Sequence, residues 1–60
     1  MYNLILILYL VKDSNIHREV IVIPNIVTET RCSIISVDII GKLNKLEPPI
    51  VTVSFCEKTL

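Results

Sequence analysis

Cys32 and Cys56 are the residues of this chain best equipped for chemistry. Their separation of 24 positions excludes the C-x-x-C spacing of redox motifs and zinc knuckles. Two states remain open. A disulfide would staple helix to sheet and contribute about 3 kcal/mol through loop-closure entropy. Two buried thiols would be the ordinary state in a reducing cytosol, where bridges rarely persist. The sequence favours the thiols, because Cys56 shares strand parity with Thr52 and Ser54, on the side expected to face away from the helix. A nucleophilic Cys32, its thiolate favoured by a helix N-terminus and Arg31, lacks a nearby base.

The remaining candidates are thinner. His17, the only imidazole, stands beside Arg18 at a strand start with no His, Cys or carboxylate at ligand spacing, which suits a solvated turn residue. Asp13 and Glu19 could flank a cation, but with Ser14 and Asn15 they read as ordinary turn polarity. Lys42 and Lys45 form a short basic patch that complements the negative end of a helix. One glycine in the chain excludes phosphate-cradling loops of the Walker or dinucleotide type as written. Tyr2, Tyr9 and Phe55 do not interleave with basic residues, so no stacking surface for single strands is built. The expectation is a protein that is not an enzyme and takes no cofactor or metal.

Behind these residues stands a chain of 60, enough for one domain spanning 1–60 with one modest core. Ile, Val and Leu fill 25 of the 60 positions, more than one small core needs. Zero net charge gives no electrostatic footprint for nucleic acid or an anionic membrane. High hydrophobicity with low net charge also excludes disorder. The longest apolar run, "LILILYLV" from Leu4 to Val11, is far shorter than the about 20 residues of a spanning helix. It lacks the preceding Lys or Arg of a secretory leader, and "KDSN" after it offers no small-residue cleavage site. A cytoplasmic protein is expected, with export as the alternative.

Residues Tyr2–Val11 read as a strand apolar on both parities, Leu4, Leu6, Leu8 and Leu10 on one face and Ile5, Ile7, Tyr9 and Val11 on the other. "KDSN" reverses the chain, and "HREVIVIP" makes a second strand that Pro24 stops, the two forming a loose hairpin across five or six turn residues. Between Thr28 and Leu46 the spacing predicts a helix despite its β-branched content: Ile35, Ile39, Leu43 and Leu46 fall within about 60° of Cys32 on a helical wheel. Ile34 and Val37 face out. Thr28 or Thr30 serves as N-cap, and Pro48 and Pro49 forbid continuation. The last strand, "IVTVSFCEK", alternates Val51, Val53 and Phe55 with Thr52, Ser54 and Cys56.

The fold expected is therefore α+β, a small ββαβ with a mainly antiparallel three-stranded sheet, its first strand central and one helix on one face; the alternative is all-β. One helix leaves the other sheet face open and apolar, so a second copy is expected to cover it, sheet against sheet or edge to edge, or another protein does. The interaction residues assigned are Ile5, Ile7, Tyr9, Ile21 and Ile23 on the strands, with Ile34 and Val37 on the helix exterior.

The order strand, strand, helix, strand, with "TETRC" opening the helix and "VSFCEK" closing the chain, resembles the short uncharacterised ββαβ proteins of phages and prophages. These often carry one Cys at the helix start and one in the last strand. The resemblance implies a mobile-element origin and a protein that binds and modulates a host protein. It implies no activity. The alternative is an exported or envelope-associated small domain stapled by Cys32 and Cys56.

Overall fold

The computed structural model describes residues 1–59. It contains β1 (Tyr2–Lys12), β2 (Asn15–Ile26), α1 (Glu29–Asn44) and β3 (Val51–Lys58), an α+β ββαβ fold. The strands form one sheet in the order β2-β1-β3, both outer strands antiparallel to β1. Because β2 and β3 thus run in the same direction on opposite sides of β1, a tight turn cannot join them, and α1 supplies the long crossover.

The hairpin is tighter than its composition suggested. Lys12 pairs directly with Asn15, leaving a two-residue turn in which Asp13 and Ser14 both take positive φ, 53° and 65°. Turns of this left-handed kind match the twist of the flanking strands, and short polar residues tolerate them best. Asn15 Nδ2 donates to the Asp13 carbonyl at 3.4 Å. Nor does Pro24 stop the second strand. Three steps along β2, from Ile23 to Ile26, match two along β1, from Leu4 to Tyr2, so β2 bulges there, with Asn25 at φ 63°. An edge strand tolerates a proline at such a bulge because the missing N–H would otherwise face solvent.

The helix forms where its stripe placed it. Thr28 is the N-cap, its Oγ1 accepting from the Arg31 amide at 3.1 Å, and Glu29 and Lys42 sit at the dipole ends that favour them. Asp38 and Lys42 form an exposed i,i+4 ion pair at 3.1 Å. Cys32 is fully buried, Ile35, Ile39 and Leu43 pack on the core, and Ile34 and Val37 are exposed. Leu46 departs from the expected stripe. The helix ends at Asn44, ahead of Pro48 and Pro49, and Leu46 is left in the exposed connection. Leu4, Leu6, Leu8, Ile26 and Cys32 make up the buried core, all between sheet and helix.

Candidate functional site

Three places in the fold gather the singled-out residues: the helix–β3 seam with both cysteines, the groove beside it, and the bare face of the sheet. The seam is a short ladder. Cys32 and Cys56 are joined in a disulfide with 6.3 Å between their Cα atoms, and Ser36 and Ser54 share a hydrogen bond at 2.6 Å. One helical turn further along α1 advances about 6 Å, and two residues along β3 advance about 7 Å. The two rungs therefore stay in register. The bridge corrects the reading of two free thiols, and the reason is orientation: Cys56 pairs with Leu4, and Ser54 with Leu6, so the polar side of β3 faces the helix. Residues opposite one another in an antiparallel pair share a face.

Ser36 was not foreseen as an inward residue. It is buried, one turn from Cys32 on the same stripe, and that spacing was the available signal. With both sulfurs in the bridge, Cys32 offers no thiolate. Ser36 has Ser54 for its partner rather than a base. Beside the ladder lies an open groove of about 340 Å³ between Glu29, Ser33 and Val37 of α1 and Ser54 and Cys56 of β3. His17 stands opposite Leu10 and is exposed, while Asp13 occupies the hairpin turn. Among the described residues no three His, Cys, Asp or Glu side chains gather to hold a metal ion.

The bare face is set by pairing. Ile5 lies opposite Val22 and Phe55, Ile7 opposite Val20 and Val53, and Tyr9 opposite Arg18 and Val51. Val11 and Ile16 extend the surface toward the hairpin, and Asn3 and Glu57 close its other end. Of the twelve charged residues of the chain, only Arg18 and Glu57 stand on these paired positions, both toward its margins. The exposure is large: 56% for Val20, 49% for Val53 and 48% for Phe55.

Of the residues assigned to interaction, Ile5, Ile7 and Tyr9 share this face. Ile21 and Ile23 do not. They pair with Leu6 and Leu4 and so lie on the helix side, Ile23 packed against the core. Ile34 and Val37 stand on the helix exterior, apart from the bare face. Val20, Val22, Val51, Val53 and Phe55 were missed, and the turn held the signal for the first two. A two-residue turn makes Ile7 face Val20 rather than Ile21.

No protein-family model, curated protein or solved structure matches the chain. No helix among the described residues is long and apolar enough to cross a membrane.

Proposed function

We propose that this protein is a non-enzymatic binding module whose working surface is the bare face of the sheet, and that what it binds is protein. The observation that carries the reading is the contrast between the two sides of the molecule. One side holds a core of five buried residues under a helix whose exterior mixes Glu29, Arg31, Asp38 and Lys42 with the exposed Ile34 and Val37. The other presents aliphatic and aromatic side chains on all three strands, a contiguous surface larger than soluble monomers usually leave in water. A protein surface supplies matching apolar area, whereas a small ligand needs concavity that a three-stranded sheet does not provide.

A photo-crosslinking residue at Val53 or Phe55, placed in the protein as its own cells make it, tests this reading. Crosslinked protein species are expected from both positions and not from Lys42 on the helix exterior. No adduct from either position would overturn the reading.

A second reading, an exported or envelope-associated domain, is favoured by one observation, the Cys32–Cys56 bridge. Such bridges persist in oxidising compartments. Protein recovered under thiol-blocking conditions is then lighter by two hydrogens than its reduced form; two alkylated cysteines would remove the support.

A further inference from the structure

We infer that the occupant of the bare face is a second copy of this chain, packed sheet on sheet with both helices outward, so that β1 of one protomer crosses β1 of the other. The inference rests on the binding-module reading and gives it a partner.

Three observations point to a second copy. The first is size. The exposed side chains of the face, from 36% for Tyr9 to 73% for Ile16, together present an area of the order of the about 800 Å² that each partner contributes to a standard interface. A copy has the same outline, and an isologous contact uses the same patch twice.

The second observation is chemistry. The centre of the face, formed by Ile5, Ile7, Val20, Val22, Val53 and Phe55, contains no side-chain donor or acceptor. Foreign partners are selected through polar groups, whereas permanent homodimer contacts resemble a domain core cut in half. This centre is of the second kind. Asn3, Arg18 and Glu57 lie toward the ends and margins, the arrangement of apolar core and polar rim that specific interfaces show.

The third is what pairing does to the fold. Alone, the chain has two layers and one thin core. Two copies stacked about 10 Å apart make a four-layer helix–sheet–sheet–helix particle with a second, larger core between the sheets. A two-fold axis in that interface, running across the strands near Ile7, sends the two Arg18 side chains to opposite ends, so like charges do not meet.

The test is the absolute mass of the oxidised protein by light scattering across a concentration series, for the natural chain and for Ile7→Lys, Val53→Lys and Ile34→Lys. Circular dichroism and an intact bridge identify the variants that remain folded. A dimer is expected for the natural chain and for Ile34→Lys. Lysine at Ile7 or Val53 enters the interface twice by symmetry, and a rise in dissociation constant of roughly a hundredfold or more is expected. Should Ile7→Lys fail to fold, Val53→Lys decides, since Val53 is half-exposed at the sheet edge. A dimer that survives face substitution would overturn the inference and point to pairing through strand edges. A natural chain that stays monomeric would overturn it too, while leaving the binding-module reading to be judged by its own crosslinks.

Discussion

Cys32 and Cys56 hold the helix N-terminus to the outer strand, and Ser36 and Ser54 repeat the link one turn on. Closing a loop of this length in the unfolded chain contributes about 3 kcal/mol in the loop-entropy model. Reduction, or Cys56→Ser, is therefore expected to lower unfolding free energy by about that amount, read as a fall in the urea midpoint. An unchanged midpoint would mean that the bridge constrains nothing the native contacts do not already fix. The serine rung behaves differently. Ser54→Ala strands a buried hydroxyl on Ser36 and is expected to cost about 1–2 kcal/mol, while the double change Ser36→Ala with Ser54→Ala recovers part of the loss. Urea titration of both single variants and the pair checks this. Neither link was legible from spacing in the chain alone. A separation of 24 positions says nothing about orientation, and β3 read by hydrophobicity places Val51, Val53 and Phe55 inward. Alternation shows that two faces differ; it does not say which one meets the helix, and β1, apolar on both parities, could not break the tie.

The elements themselves were more legible, because each has a local cause. The helix survives six β-branched residues between Glu29 and Asn44 because its stripe reaches the core at Cys32, Ile35, Ile39 and Leu43 while Thr28 caps its start. Gly41 is the weak place, exposed and with no atom within 4 Å of an added Cβ. Gly41→Ala is expected to stabilise the protein by about 1 kcal/mol, the intrinsic helix preference, measured as a raised urea midpoint with unchanged slope. The hairpin was misjudged for the opposite reason: "KDSN" holds no glycine, so a two-residue turn with two positive φ angles is not what its composition signals. That misjudged length moved the second strand by one residue and exchanged Val20 and Val22 for Ile21 and Ile23.

At the scale of the whole molecule the surplus of Ile, Val and Leu was legible as an open apolar face, though several of its members were not. On the proposed pairing, a chain with five buried core residues and an uncovered sheet face would place much of its attainable burial between copies rather than within one. If folding and pairing are one transition, unfolding of the dimer absorbs the enthalpy of two chains, about 80 kcal/mol at about 0.7 kcal/mol per residue. Mass action then raises the melting temperature by roughly 6 °C for each tenfold increase in protein concentration. Thermal melts of the oxidised protein at concentrations spanning two decades should show that slope, and Ile7→Lys should flatten it while Ile34→Lys leaves it intact. A melting temperature independent of concentration in a particle that scatters as a dimer would mean that each protomer's stability comes from its helix–sheet core and bridge, the interface holding folded units together without helping to fold them.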